Sequence, residues 1–332
     1  MASSREGLIS GLLDSREPAV RGRTQVRVLG EDPESGATKR LAADVRASPR
    51  VRALLAGPHP RNVYAKWRGI HWVVATLADL GCPRGDPEVL ALLDPILDFW
   101  LRDEFYAEFV ASSRAGAYQQ RAVPVMEGRY RRCASQQGNA LYCVTVLGTG
   151  DDRASRLVER LLHWQWPDGG WNCDKDPLAD TSSFMETLIP MRGLWHYGRA
   201  RGDQAAQAAA LQAADVFLSR RLYRKRSDGN VIRDEFIRLH YPLYWHYDVL
   251  GGLKVIAELG LISDPRCADA LDLLEQKELP SGGWPAERRH YQVASSSAAH
   301  AELVDWGGAS TVRVNQWVTT DALYVLREAG RL

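Results

Sequence analysis

The sequence lacks any stretch approaching the roughly 20 apolar residues that a membrane-spanning helix needs. Its opening residues, Met1-Ala2-Ser3-Ser4-Arg5-Glu6-Gly7-Leu8, have no apolar signal-peptide core. Neither sign of charge is in excess: 42 Lys and Arg face 41 Asp and Glu, leaving a formal net charge of +1. Such a chain offers no global field to nucleic acid or to an acidic membrane surface, and it has no basic helix of the kind that reads nucleic acid. Cysteine is sparse and odd in number, at positions 82, 133, 143, 173 and 267. That is no disulfide framework, and it points to a reducing cytoplasm. Also missing are a glycine-rich phosphate loop, a dinucleotide-binding fingerprint, a Gly-x-Ser-x-Gly elbow and a kinase motif set. No strand-period alternation is long enough to compete with the helical patterns.

What is present is a repeat. Ala75 to Gly81, Tyr142 to Gly148, Lys254 to Gly260 and Tyr324 to Gly330 are apolar runs stopped by glycine, and Met191 to Gly198 is a looser copy. Glycine accepts the left-handed conformation that ends a helix. Asp86, Asp151, Asp203 and Asp264 follow four of these stops and are placed to cap the next helix, with Pro87 and Pro265 at its first position. The helix before each glycine is apolar on most faces and the one after it on one face only, so the first kind is expected inside and the second outside. The unit repeats every 50 to 70 residues or so, the signature of a helical array or ring. Residues 1–56 read as an N-terminal helical cap, with Leu8, Leu12 and Leu13 in one helix and Leu54 and Leu55 in another; residues 57–332 read as the repeat domain.

Two of the outer helices end alike, in Gln165-Trp166-Pro167-Asp168-Gly169-Gly170-Trp171 and in Gln276-Lys277-Glu278-Leu279-Pro280-Ser281-Gly282-Gly283-Trp284. The glycines permit a tight turn, the indole folds back over the helix end, and the amide can bond free backbone groups there. These segments resemble the QW motif of squalene–hopene and oxidosqualene cyclases. The hairpin period, over residues from about 60 to 332, resembles the terpenoid cyclase and protein prenyltransferase superfamily. The resemblance implies an all-α fold, an α/α toroid of helical hairpins around one cavity. Catalytic signatures do not carry over: there is no Asp-x-Asp-Asp run, Asp174-Lys175-Asp176-Pro177 being the nearest, and Asn172-Cys173-Asp174 reverses the prenyltransferase Asp-x-Cys order.

In a closed ring, the loops entering the inner helices converge on one mouth. They carry Lys66, Trp67, His71, Arg132, Tyr244, Trp317 and Asp321 as candidate substrate-binding residues, and Glu186, Asp174 and His246 as candidate catalytic ones. Further cations at this mouth are Arg68, Arg129, Arg131, Arg238 and His240, with Arg288, Arg289 and His290 on a neighbouring loop. A mouth so rich in cations suits an anionic group: carboxylate, phosphate or sulfate. Glu186 sits among apolar residues, where a buried acid acquires the raised pKa of a general acid or base. No cofactor is required by this pattern. If a metal is held, zinc on Cys133, Cys173 and His246 is the set the residues would suit.

The expected activity is ring closure on a small anionic substrate in bacterial specialised metabolism. Stand-alone barrels similar to this one occur in gene clusters for aziridine-containing metabolites, beside sulfotransferases. That resemblance implies closure by displacement of sulfate, with a partner enzyme supplying the sulfate ester. The alternatives are an isoprenoid cyclase or prenyltransferase, and a non-catalytic helical ring partnering another biosynthetic enzyme.

Overall fold

A computed structural model describes residues 2–148, 150–293 and 300–332, with the side chains of residues 2–4 outside that description. In chain order the helices are α1 (Ala2–Leu13), α2 (Pro18–Arg23), α3 (Gly36–Ala47), α4 (Pro49–Ala56), α5 (Ile70–Leu80), α6 (Pro87–Trp100), α7 (Ala134–Leu147), α8 (Ala154–Trp164), α9 (Phe184–Arg201), α10 (Gln204–Leu218), α11 (Val249–Glu258), α12 (Ala268–Gln276) and α13 (Gln316–Glu328). The fold is mostly helical, as the sequence predicts. Strands do occur, against expectation. β1 (Glu108–Val110) pairs in parallel with β2 (Val123–Met126), which pairs antiparallel with β3 (Arg129–Tyr130); β4 (Gln292–Val293) pairs with β5 (Ala301–Glu302). These strands are too short to show a period of two in the sequence. Among the described residues, no helix is long and apolar enough to cross a membrane.

Capping follows the sequence. Asp86 and Asp203 each accept a backbone N–H from the first turn of the following helix, at 3.0 to 3.1 Å, and Asp151 and Asp264 accept the Arg153 and Arg266 amides at 2.8 Å just ahead of α8 and α12. Gly81, Gly260 and Gly330 close their helices with φ of 80°, 75° and 66°. Gly148 ends α7 in an extended conformation instead. Gly198 does not end its helix: α9 runs on to Arg201 and stops at the left-handed Gly202. The contrast between neighbouring helices also holds. In α7 nearly every residue from Ala134 to Val144 is buried, whereas α8 buries Ala154, Leu157, Val158, Leu161 and Trp164, a single face.

The chain divides into two compact units, one of residues 1–89 and 220–332 and one of residues 90–219. The N-terminal residues 1–56 thus share a unit with α5 and α11–α13. In that unit, Lys254 of α11 lies 3.0 Å from Asp79 of α5 and 3.0 Å from Asp321 of α13. Arg23 at the end of α2 is paired with both carboxylates. Tyr241 Oη donates to Asp79 at 2.9 Å. Buried charge is tolerated only when so fully paired.

Each unit carries one copy of the tryptophan turn, and the two copies are bonded alike. Trp171 Nε1 donates to the carbonyl of Leu161 at 2.9 Å, and Trp284 Nε1 to that of Leu274 at 2.7 Å. The Trp171 and Trp284 amides donate to the hydroxyls of Thr187 and Thr319, each in the first turn of the next helix. The second glycine of each turn abuts that same threonine: a Cβ on Gly170 would lie 2.5 Å from Thr187 Oγ1, and one on Gly283 would lie 3.2 Å from Thr319 Oγ1.

Candidate active site

In the unit of residues 90–219, α7 and α9 approach unusually closely because glycine sits at the crossing. A Cβ on Gly138 would lie 2.5 Å from Pro190 Cα, and one on Gly193 would lie 2.5 Å from the Gly138 carbonyl oxygen. Glycine without a side chain permits this contact, and it brings the first turn of α9 against the N-terminus of α7. Glu186 projects from that turn. Its Oε2 accepts the Ser135 amide of α7 at 3.0 Å, and the Cys173 thiol approaches its Oε1 at 3.6 Å. Cys133, the residue before α7, completes the group: the two sulfurs and a Glu186 oxygen all lie within 4.8 Å of one another.

Glu186 is 9% exposed and forms no ion pair with a described residue. Burial raises its carboxyl above the ordinary carboxylate range, while the Ser135 amide, the Cys173 thiol and Arg132 pull the other way. The Cys173 thiol is held far above its usual range, first by its hydrogen bond with Cys133 and then by burial. The Cys173 thiol is therefore protonated at neutral pH in the absence of a ligand.

Arg132 borders this group. Its guanidinium donates to Gln136 Oε1 at 3.0 Å and lies over the rings of Phe105, Trp164 and Trp100 at 4.9, 5.7 and 6.0 Å. It has no carboxylate partner among the described residues. Burial lowers its pKa, yet a guanidinium stays charged throughout the physiological range. Lys175, which the sequence does not single out, stands over Tyr118 at 3.8 Å and donates to the Ala117 carbonyl at 2.9 Å. Asp174, a candidate catalytic residue, is exposed instead. It accepts the Asp176 amide in a local turn, which explains its presence without chemistry. Arg131 is likewise engaged, donating to the carbonyls of Ala179 and Pro177.

No protein-family model matches this chain, and no curated protein matches it.

The remaining candidates fall in the other unit. Trp67 stacks on Tyr244 with ring centroids 3.9 Å apart, His246 meets Trp67 edge-on at 5.7 Å, and Lys66 Nζ lies 4.5 Å above Trp245. His246 stacks at 3.3 Å on His290, and burial pushes both imidazoles down to about 3. His71 is buried against Tyr64 and Trp72, with its pKa also lowered to about 3 by burial. Tyr244 Oη donates at 2.6 Å to Glu302, a buried acid the sequence reading passes over. Trp317 stacks on Tyr241 at 5.1 Å, and Asp321 is committed to Arg23 and Lys254. Cys133 and Cys173, two members of the zinc set considered from the sequence, stand with Glu186, which the α7–α9 contact delivers there.

Proposed function

We propose that this chain is a ring-closing enzyme of bacterial specialised metabolism, with its helical hairpins closed into an α/α toroid and its chemistry at Glu186. The observation that carries this reading is the pairing of a buried carboxylate, held by a backbone amide instead of a cation, with a neighbouring guanidinium that has no carboxylate of its own among the described residues. Such a site separates a proton acceptor from an anion-binding cation, which is what intramolecular displacement needs.

The substrate class is a small amine bearing a sulfate or phosphate ester on a nearby carbon. The nitrogen attacks that carbon, the C–N bond forms, and the C–O bond breaks with its electron pair leaving on the anion. The nitrogen's proton passes to Glu186. Arg132 binds the leaving anion, with Lys175 adding positive potential. A sulfotransferase or kinase acting earlier in the same cytoplasm would install the ester.

The test is to incubate the purified chain with 2-sulfooxy and 2-phosphooxy amines of increasing size. Released anion is measured by ion chromatography and the ring product by mass spectrometry. One anion per ring is expected. Anion release at the buffer rate from the whole series would overturn the reading.

The aromatic group around Trp67 and Tyr244 favours a second reading, an isoprenoid cyclase or prenyltransferase, since stacked rings stabilise carbocations. Diphosphate release from isoprenyl diphosphates, with none from the amine esters, would select it.

A further inference from the structure

We infer that Cys133, Cys173 and Glu186 form a binding site for a thiophilic divalent cation, zinc being the natural occupant. A tetrahedral zinc ion with sulfur ligands near 2.3 Å and a carboxylate oxygen near 2.0 Å holds its donors about 3.5 to 3.8 Å apart. The Cys173 sulfur and Glu186 Oε1 already stand 3.6 Å apart, and all three donors lie within 4.8 Å. The three come from separate places in the chain, one before α7, one after the tryptophan turn and one in α9, so that closing on a metal requires no rearrangement of a single loop.

The surroundings supply what a metal ligand requires. Glu186 Oε2 is held by the Ser135 amide, which leaves Oε1 to face the sulfurs and fixes the carboxylate for single-oxygen ligation. Two thiolates and a carboxylate around a dication leave one net negative charge, and the neighbouring Arg132 balances it. Nor does the fold demand these residues. The other tryptophan turn, bonded identically, carries Ala286 two residues after Trp284, where the first copy has Cys173 two residues after Trp171.

Binding displaces one proton from each thiol to the solvent and leaves the fourth tetrahedral position open. It also occupies the carboxylate oxygen that would take a proton in ring closure. The metal-bound and proton-accepting states therefore exclude each other, and zinc is expected to arrest turnover reversibly. The site shares its residues with the proposed reaction but does not depend on it, because the experiment below uses no substrate.

Cobalt(II) reports thiolate ligation directly. Added to the reduced, metal-free full chain, it should give a near-ultraviolet sulfur-to-cobalt band that saturates at one equivalent and is displaced by zinc. Cys133→Ser and Cys173→Ser should each lose most of the band's intensity. Cys82→Ser, at a buried cysteine outside the site, should retain it. Circular dichroism on each variant confirms folding. Absence of the band in the wild-type chain, which needs no variant to fold, overturns the inference. A band that survives loss of both Cys133 and Cys173 overturns it equally.

Discussion

Glu186 and Val318 occupy the same place in two copies of one structure: each immediately precedes the threonine whose hydroxyl accepts the amide of the turn tryptophan. In one copy the position is filled by a buried valine, and in the other by a buried acid with no ion pair to a described residue. The fold accepts an apolar side chain there. The carboxylate is therefore a departure from what packing asks for, and departures of this kind concentrate at functional sites.

One consequence concerns stability. Glu186→Val removes a desolvated carboxylate and the hydrogen bonds it accepts from the Ser135 amide and the Cys173 thiol, effects of opposite sign. Chemical denaturation should find the variant within about 1 kcal/mol of wild type. A loss of several kcal/mol would mean that Glu186 is chiefly a structural cap on α7.

The two tryptophan turns should respond in parallel. Trp171→Phe and Trp284→Phe each keep an aromatic ring and remove the indole N–H that closes the helix end at Leu161 or Leu274. Each should cost about 1 to 2 kcal/mol in urea denaturation. A neutral result in either would show that the ring alone, without its hydrogen bond, holds the turn.

Asp321 supports a different expectation from the substrate-binding role its place in the sequence suggests. Asp321→Ala leaves Arg23 and Lys254 buried with Asp79 as their remaining shared carboxylate. The loss should reach about 3 to 5 kcal/mol, because buried charge left without its partner is costly. A calorimetric midpoint equal to wild type would return Asp321 to the list of ligand-contacting residues.

Acid should weaken the protein through its buried imidazoles. The pKa of His71 is lowered from 6.5 to about 3 by burial, so the folded state keeps it neutral. The unfolded chain takes up a proton near pH 6.5. Stability from this group is complete above that pH and is lost as pH falls from 6.5 toward 3. The slope is about 1.4 kcal/mol per pH unit for one such group. Between pH 6.5 and 5, His71→Leu should therefore lose about 2 kcal/mol less than wild type. Equal losses in the two proteins would place His71 in contact with water.

Much of the helical framework was legible because its signals are local. An aspartate after a glycine stop caps the next helix wherever it stands, and Gln165 to Trp171 can close their turn with backbone already in reach. Gly198 misled because a glycine inside a helix and one that ends it look alike in sequence; here Asp203 and Gln207 crowd Gly198, and the left-handed conformation falls to Gly202. The site was legible in part. Glu186 stood out as an acid among apolar neighbours, but its meeting with Cys133 and Cys173 depends on two glycines, 138 and 193, that let α7 and α9 touch. Nothing in the spacing of Cys133 and Glu186 reports such a contact. Arg23 and Asp321 are 298 positions apart and no periodicity links them, so the sequence left Asp321 among the candidate substrate-binding residues without naming its partner.

The central claim is that Glu186 takes the proton when the ring closes. Its most direct measurement compares wild type with Glu186→Gln, which keeps the shape and removes the basic oxygen. The readout is anion release from the best amine ester under metal-free conditions, together with thermal midpoints for both proteins. Turnover should fall by a factor of about 100 or more, as general-base catalysis predicts, with the midpoint nearly unchanged. Turnover within twofold of wild type would contradict the account.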